Sequence, residues 1–202
     1  MVCILDYGTG NVGSVYNLLK YMNYNVVISN EDKLIKKSTH IILPGVGSFG
    51  ESMKKINNNL PMDLLHDQVV FRKKPFLGIC VGMQVLANKG YEFGEHSGLG
   101  WINGDVVKLN SKDLPLPHIG WNDIQIKKET PILNNIDQIK DFYFVHSFCF
   151  EAENEENIIA TTNYGSEFTS IIQKENIIGV QFHPEKSQKL GMLLIKNFID
   201  KI

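Results

Sequence analysis

Short apolar runs alternate with amphipathic segments in the first half of the chain, and the two patterns predict different elements. Strands are expected at 2–5, 25–28, 41–43 and 76–79, and helices at 12–22, 50–55, 61–71 and 83–88. Strands that alternate with helices are typical of parallel sheets, because the crossover between parallel strands is usually a helix. The sequence therefore predicts an α/β fold with a central, mostly parallel sheet flanked by helices.

The pattern changes in the second half, where apolar segments become shorter and turns more frequent. Between residues 98 and 175, strands are expected at 105–109, 124–126, 141–146, 158–162 and 170–173. These strands predict a smaller sheet region that is mixed or antiparallel. The final segment, 189–202, has apolar residues at helical spacing and predicts a helix that packs on the sheet. Since no linker or repeat interrupts the chain, we expect a single domain over residues 1–202.

The composition is that of an ordinary soluble globular protein. Hydrophobic residues make up 43% of the 202 residues and the formal net charge is -2, so a basic face for nucleic acid is not expected. A five-residue apolar stretch precedes Asp6, which is too short to predict a signal peptide or a membrane anchor. Cys3, Cys80 and Cys149 lack the spacing of a metal site or a disulfide framework, which favours a reducing compartment, the cytoplasm.

The first candidate for chemistry is Cys80, which has glycines two residues before and two residues after it, Gly78 and Gly82. The motif lies where a predicted strand meets a predicted helix. A nucleophile elbow has this arrangement, because glycines remove the Cβ atoms that would clash in the sharp turn. The helix N-terminus would favour the thiolate, which is the form that attacks carbonyl groups. Taken alone, the motif also fits a buried structural cysteine.

A second candidate is the sequence His183-Pro184-Glu185, which ends an apolar, strand-like segment. Residues two apart on an extended segment point to the same side, so Glu185 can accept a hydrogen bond from one nitrogen of the His183 ring. That bond would select the tautomer of the ring and leave the other nitrogen for a thiol. Our hypothesis is that Cys80, His183 and Glu185 form a catalytic triad.

Six motifs that include these residues span nearly the whole chain, at 6–11, 44–49, 78–84, 117–122, 143–147 and 179–187. In this order they resemble the class I, triad-type glutamine amidotransferases, and among these the glutaminase subunits of imidazole glycerol phosphate synthase. The chain departs from the family pattern at Pro115, Leu116 and Phe148, none of which belongs to the triad. These departures leave the details of the partner surface open.

The resemblance implies a fold, an activity and a partner. The implied fold is the flavodoxin-like α/β arrangement of class I glutamine amidotransferases. The implied activity is hydrolysis of glutamine to glutamate and ammonia, without a cofactor or a metal. The ammonia would pass to a (β/α)8-barrel cyclase subunit in a heterodimer, which makes imidazole glycerol phosphate and AICAR in histidine biosynthesis. Relatives of this subunit supply ammonia for the amidation of bacterial surface sugars, and that acceptor stays an alternative.

Binding residues are expected in three groups. Negative charge on the substrate oxygen would be held by backbone N–H groups of Val81 and of the loop with Val46 and Gly47, whose glycines permit a close approach. The residues that the resemblance implies for glutamine binding are Gln84, Glu92, His146 and Ser147. Those that it implies for the partner interface and the ammonia passage are Asn11, Trp121, Asn122, Tyr143 and Lys186.

A rival motif is formed by Gly8, Gly10 and Gly13, which follow a strand and precede a helix, with Glu31 beyond the next strand. This spacing formally matches a dinucleotide-binding loop, in which a pyrophosphate lies at the helix N-terminus. However, a tight turn between a strand and a helix needs glycines for its own geometry, and we favour that interpretation. A third possibility is a catalytically silent interaction subunit that keeps the triad residues without an assembled oxyanion hole.

Overall fold

The computed structural model describes residues 1–136 and 141–202. Its helices are α1 (Val12–Tyr21), α2 (Asp32–Lys37), α3 (Phe49–Asn59), α4 (Met62–His66), α5 (Val81–Gln84) and α6 (Gln188–Lys201). A π-helical turn, Asp67–Phe71, continues α4, and 3-10 turns lie at Pro131–Leu133, Glu155–Asn157 and Pro184–Lys186. The strands are β1 (Val2–Ile4), β2 (Val26–Ile28), β3 (His40–Gly45), β4 (Phe76–Cys80), β5 (Lys89–Gly90), β6 (His96–Ser97), β7 (Gly104–Lys108), β8 (His118–Asp123), β9 (Gln125–Ile126), β10 (Asp141–His146), β11 (Phe148–Ala152), β12 (Ile158–Tyr164), β13 (Ser166–Lys174) and β14 (Ile177–Val180).

The strands form one large sheet and one small sheet. The order in the large sheet is β2-β1-β3-β4-β14-β13-β11-β7-β5-β6, with β12 and β9 attached through β13. Neighbouring strands from β2 to β14 are parallel, whereas β13 runs antiparallel to β14. β8 and β10 form an antiparallel pair of their own. The structure confirms the predicted α/β class, with a parallel centre and a smaller antiparallel region.

The parallel centre of the large sheet is the core of the protein. Every residue of β1, β4 and β14 is buried, which explains why these strands are continuous apolar runs rather than alternating ones. Helix α6 buries Leu194, Ile195 and Phe198, in agreement with the helical spacing of its apolar residues. Among the helices of residues 1–136 and 141–202, none has the length and apolar character needed to cross a membrane.

Helix α5 is shorter than the sequence predicts, because it ends at Gln84 instead of continuing to residue 88. The carbonyl oxygens of residues 85–87 accept hydrogen bonds from the N–H groups of residues 99–102, so a later segment takes the place of the next helical turn. The predicted helix at 61–71 is divided into α4 and the π-helical turn. The elements α2, β5, β6, β8 and β11 are not predicted, since segments of two to six residues carry too little periodicity.

The turn from β4 into α5 lies directly against β3. A Cβ atom at Gly82 would lie 1.9 Å from the carbonyl oxygen of Leu43, and one at Gly78 would lie 2.3 Å from the carbonyl oxygen of Gly82. Backbone atoms cannot rotate away from such a contact as a flexible side chain can. The close approach of β3, β4 and α5 therefore requires glycine at both positions.

We expect Gly82→Ala to lower the free energy of unfolding by about 3 kcal/mol or more, because a methyl group there forces β3 and α5 apart. Gly13→Ala is the matched control: Gly13 is exposed on α1 and a Cβ atom there meets nothing within 4 Å. Its expected effect is a stabilisation of up to about 1 kcal/mol, since alanine favours the helix. Urea unfolding of the three proteins measures both changes. Equal stability of the wild type and Gly82→Ala would contradict the proposed contact.

Candidate active site

The carboxyl ends of three neighbouring parallel strands, β3, β4 and β14, meet beside a cleft. Gly45 of β3 pairs with Cys80 of β4, and Val180 of β14 pairs with Ile79, so the next residue, Gln181, follows beside Cys80. Ligands of open α/β sheets bind beyond the carboxyl ends of the strands, and this cleft lies there. Its volume of about 290 Å³ is near the lower end of the range for ligand pockets and suits one small molecule.

The cleft brings together most of the residues that the sequence singles out for catalysis and binding. Its walls are formed by Val46, Gly47, Cys80, Val81, Gln84, Glu92, Pro117, Val145, His146, Ser147, Phe148, His183 and Lys186. All residues predicted for the oxyanion and for glutamine binding are in this set, together with Cys80 and His183. Glu185 lies outside the walls and contacts His183, and among the predicted interface residues only Lys186 reaches the cleft.

Cys80 occupies a strained turn at the floor of the cleft. Its backbone angles are φ 55° and ψ −112°, in a region that residues with a side chain rarely adopt. The residue Cys80 is 4% exposed. Its sulfur lies 3.8 Å from the carbonyl oxygen of Val145 and 3.8 Å from Nε2 of Gln181. A strained cysteine between a strand and a helix matches the predicted nucleophile elbow.

His183 and Glu185 are paired, as the sequence predicts. Nδ1 of His183 lies 2.8 Å from Oε1 of Glu185, and the two side chains are 4% and 1% exposed. Burial works against a positive ring and alone would lower the pKa of His183, but the hydrogen bonds and charges of Cys80 and Glu185 outweigh burial and raise this pKa to about 10. The ring is therefore an imidazolium at neutral pH, and its Nε2 proton is left for the sulfur or for a leaving group.

Asn11, predicted as a partner contact, hydrogen-bonds to the triad in this structure. Its Nδ2 donates to Oε1 of Glu185 at 3.3 Å. The preceding turn is also packed closely, since a Cβ atom at Gly10 would lie 2.8 Å from the carbonyl oxygen of Pro44, and Gly8 N–H donates to Oδ1 of Asp6. These contacts account for the glycines of the rival motif by turn geometry. They favour that interpretation over a dinucleotide-binding loop.

Gln84 and Glu92 reach the cleft with part of their hydrogen-bonding capacity already used. Nε2 of Gln84 donates to the Phe148 carbonyl oxygen at 3.0 Å and to Oε1 of Gln181 at 3.1 Å. Oε2 of Glu92 accepts from the N–H of Phe49, the first residue of α3, at 2.9 Å. What each side chain still offers to a ligand is an oxygen acceptor. Both therefore suit an ammonium group, and neither can donate to a carboxylate.

His146 is joined to a second buried histidine. Nδ1 of His146 donates to the Phe148 carbonyl oxygen at 2.9 Å, which leaves Nε2 to accept from Nδ1 of His118 at 3.0 Å. Nδ2 of Asn122, predicted for the partner interface, lies 3.3 Å from Nε2 of His118 and also donates to the Asn163 carbonyl oxygen. Burial lowers the pKa of His118 to about 4 and that of His146 to about 3, so both rings are neutral.

The remaining predicted interface residues lie on the small sheet and next to it. Trp121 of β8 pairs with Tyr143 of β10, and their ring centroids are 5.9 Å apart. Trp121 is 47% exposed and Ile119 is 60% exposed, and we call this surface the Ile119–Trp121 face. Nζ of Lys186 lies 5.6 Å from the centre of the Tyr143 ring, and Lys186 also lines the cleft. Tyr143 and Lys186 thus connect the cleft with the exposed face.

The sequence interpretation does not anticipate Gln181, although it lies beside Cys80. A signal was present, because Gln181 precedes His183 by two residues on an extended segment and so shares its side, and because it is polar in an apolar run. The Phe148 carbonyl, which receives hydrogen bonds from Gln84 and His146, leaves no such signal. Backbone acceptors are present at every residue, and only the fold shows which one is used.

The chain is similar to known proteins over nearly its whole length. Residues 3–202 match the model of the family described as glutamine amidotransferase class-I. The chain is 46% identical over 200 residues to the imidazole glycerol phosphate synthase subunit HisH 2 of Methanococcus maripaludis, with 98% of both chains covered. It is 45% identical over 202 residues to the subunit HisH of Leptospira borgpetersenii, again with 98% of both covered.

Solved structures share the fold at lower sequence identity. PurLQS from Thermotoga maritima has a TM-score of 0.74 at 18% identity, and the alignment covers 98% of this chain and 97% of the other. A structure described as a glutamine amidotransferase has a TM-score of 0.73 at 17% identity, with the same coverage.

We expect opposite charge states for the histidines of the cleft at pH 7. His183 should carry protons on both ring nitrogens, whereas His118 and His146 should be neutral with the proton on Nδ1, because burial lowers their pKa while Cys80 and Glu185 raise that of His183. Long-range proton–nitrogen NMR correlations of the rings measure these states directly. A midpoint near 6.5 for His183 would contradict the effect of its partners.

The raised pKa of His183 makes the stability of the protein depend on pH. The folded protein holds the His183 proton more tightly, so this contribution to the free energy of unfolding is fully present below pH 6.5, the ordinary pKa, and is lost as the pH rises to about 10. Burial of Cys3 and Cys149 acts in the same direction, since it raises their pKa to about 11 and about 12. The difference in free energy of unfolding between the wild type and Glu185→Gln, followed against pH, isolates the contribution of His183. If the two proteins lost stability in parallel as the pH rises, the contribution of the His183–Glu185 pair would be refuted.

Proposed function

Because the chain belongs to the class I glutamine amidotransferase family, among the imidazole glycerol phosphate synthase HisH subunits, we propose that Cys80, His183 and Glu185 hydrolyse glutamine to glutamate and ammonia. The observation that carries this proposal is the strained Cys80 in a small cleft beside a buried His183–Glu185 pair. A nucleophile, an acid–base group and an orienting carboxylate are the parts that a covalent amidase needs.

The reaction starts with attack by the Cys80 sulfur on the amide carbon of glutamine. The carbonyl electron pair moves to the oxygen, and this oxyanion needs hydrogen-bond donors at the cleft floor. Val81 N–H is the first of α5 and follows the nucleophile, while Val46 and Gly47 follow the end of β3, which pairs with Cys80. Gly47 has φ +100°, a conformation that glycine adopts without strain. Donors from the N-terminus of α5 and from the loop after β3 flank the oxyanion.

Collapse of the tetrahedral species requires a proton on the leaving nitrogen. His183 carries that proton at neutral pH because Cys80 and Glu185 raise its pKa to about 10. The C–N bond breaks, ammonia leaves and a γ-glutamyl thioester remains on Cys80. Water then attacks the thioester, His183 accepts a proton from it, and glutamate and the thiolate are released. The chemistry uses side chains, backbone N–H groups and water, and we assign it no metal or cofactor.

Gln84 and Glu92 orient the substrate through its α-ammonium group. Both offer oxygen acceptors to the cleft, since the Nε2 donors of Gln84 are engaged by Phe148 and Gln181. This assignment refines the prediction that the pair binds both the α-amino and the carboxylate end of glutamine. The α-carboxylate is left to backbone N–H donors near His146 and Ser147 in the wall of the cleft, since both ring nitrogens of His146 are engaged.

The ammonia is consumed by a partner subunit, in our proposal a (β/α)8-barrel cyclase that forms imidazole glycerol phosphate and AICAR. The relatives at 46% and 45% identity are named as subunits of imidazole glycerol phosphate synthase. The Ile119–Trp121 face is apolar, exposed and next to Lys186 at the cleft, so a partner that covers it would lie close to the released ammonia. We place the heterodimer in the cytoplasm, since Cys3, Cys80 and Cys149 are all free.

We expect Cys80→Ala to lower glutamate release on the order of 10³-fold or more, both alone and with the cyclase, because the nucleophile is lost. Cys149→Ala is the matched control, since it removes a buried thiol whose pKa burial raises to about 12. A glutamine-analogue electrophile should label the peptide that contains Cys80 in the wild type and in this control. Partner-stimulated hydrolysis by Cys80→Ala would refute the assignment of the nucleophile, and absence of labelling would favour a catalytically silent subunit.

We expect Trp121→Ala to weaken binding of the cyclase by about 30-fold, because a half-exposed tryptophan is a common centre of interface energy. Phe71→Ala is the control, as Phe71 is 71% exposed but precedes the amino end of β4, whereas the cleft lies at its carboxyl end. Calorimetry measures affinity, and formation of imidazole glycerol phosphate from glutamine identifies the acceptor. Unchanged affinity would refute the interface, and hydrolysis without transfer to the cyclase would favour the sugar-amidating alternative.

A further inference from the structure

Gln181 is an uncharged side chain in a fully buried position beside the nucleophile. It is 0% exposed and follows β14 by one residue, next to Cys80 on β4. A primary amide without hydrogen bonds is costly to bury, so the partners of both its ends are informative. Oε1 accepts from Nε2 of Gln84 at 3.1 Å, and Nε2 lies 3.8 Å from the Cys80 sulfur.

The orientation of this amide follows from a backbone carbonyl. The Phe148 oxygen can only accept, and it receives Nε2 of Gln84 at 3.0 Å and Nδ1 of His146 at 2.9 Å. Gln84 must therefore direct its nitrogen, not its oxygen, to Phe148 and to Gln181. The amide oxygen of Gln181 meets that donor, which turns the NH2 group of Gln181 toward the sulfur. A reversed Gln181 would bring two NH2 groups together and leave an oxygen against the sulfur.

We propose that Gln181 is a positioning residue that holds the Cys80 sulfur and stabilises its anionic form through a donated N–H. A thiolate is an acceptor without a proton, so it gains more from a permanent donor than a thiol does. The role rests on the proposed function, in which Cys80 attacks as the thiolate. Gln84 then acts twice, because its oxygen is available to the ligand while its nitrogen orients Gln181.

Several other titratable groups lie around the Cys80 sulfur. His183 and Glu185 lie beyond β14, His146 ends β10, and Tyr7 follows β1 beneath the turn, while Glu92 and Lys186 line the cleft. None of them is altered by a substitution at Gln181. A change in the pH response of Cys80 between variants with the same surroundings can therefore be assigned to the amide.

The test compares Gln181→Met, which keeps the size but removes the donor, with the wild type and with Gln125→Met on exposed β9. The rate of Cys80 alkylation by iodoacetamide is followed against pH by peptide mass spectrometry, and glutaminase kinetics are measured with the partner. We expect the half-maximal pH of alkylation to rise by about one unit, equivalent to a tenfold change, and kcat to fall about tenfold with KM unchanged. Gln125→Met should match the wild type.

A second variant and a measurement on the wild type complete the design. Gln181→Glu keeps an acceptor for Gln84 but presents an oxygen to the sulfur, so we expect a larger upward shift than in Gln181→Met. In the unsubstituted chain, the side-chain NH2 signals of Gln181 should move in NMR spectra at the same pH as alkylation. The proposal would be overturned if folded Gln181→Met had the same pH dependence of alkylation as the wild type. It would also be overturned if the NH2 signals of Gln181 did not shift with pH. Alkylation needs no turnover, so this outcome is separable from failure of the glutaminase assignment.

Discussion

The close approach of β3, β4 and α5 is the constraint on which the rest of the site depends. Cys80 can adopt its strained turn only because Gly82 and Gly78 have no Cβ atoms. A Cβ atom at Gly82 would clash with the Leu43 carbonyl, and one at Gly78 would clash with Gly82. The same approach places the ends of β3 and β14 on either side of the sulfur. One loop then provides candidate oxyanion donors, and the other brings Gln181 and His183. Packing within the parallel sheet thus positions the chemistry.

Two buried histidines in one cleft have opposite charge states, although burial acts on both in the same direction. Burial disfavours the charged form of both His146 and His183, and in His146 this effect wins, so the pKa falls to about 3. In His183 the neighbouring Cys80 and Glu185 reverse the outcome, and the pKa rises to about 10. The difference lies in the partners. His146 faces a carbonyl oxygen and the neutral ring of His118, whereas His183 faces the carboxylate of Glu185. A neutral scaffold and a proton donor can therefore lie side by side.

One side of the small sheet faces the site, and the other side is exposed at the surface. Side chains alternate along β8, so His118 and Asn122 enter the polar network that reaches His146, while Ile119 and Trp121 point outward. A partner docked on the outer side would rest on the strand whose inner side supports the cleft. This is a spatial relationship between two surfaces of one strand, and under the proposed function β8 would serve both the cleft and the partner interface.

The sequence by itself determined the α/β class, the elbow at Cys80 and the His183–Glu185 pair. These features are local: they depend on strand and helix periods, on glycines two residues away and on side chains two apart on an extended segment. Tertiary structure alone decided where α5 ends, that Asn11 donates to Glu185, and that Gln84 reaches Cys80 through Gln181. Such partners lie far apart along the chain, and an amide can bond to any polar group. Strand register and packing select which one it meets.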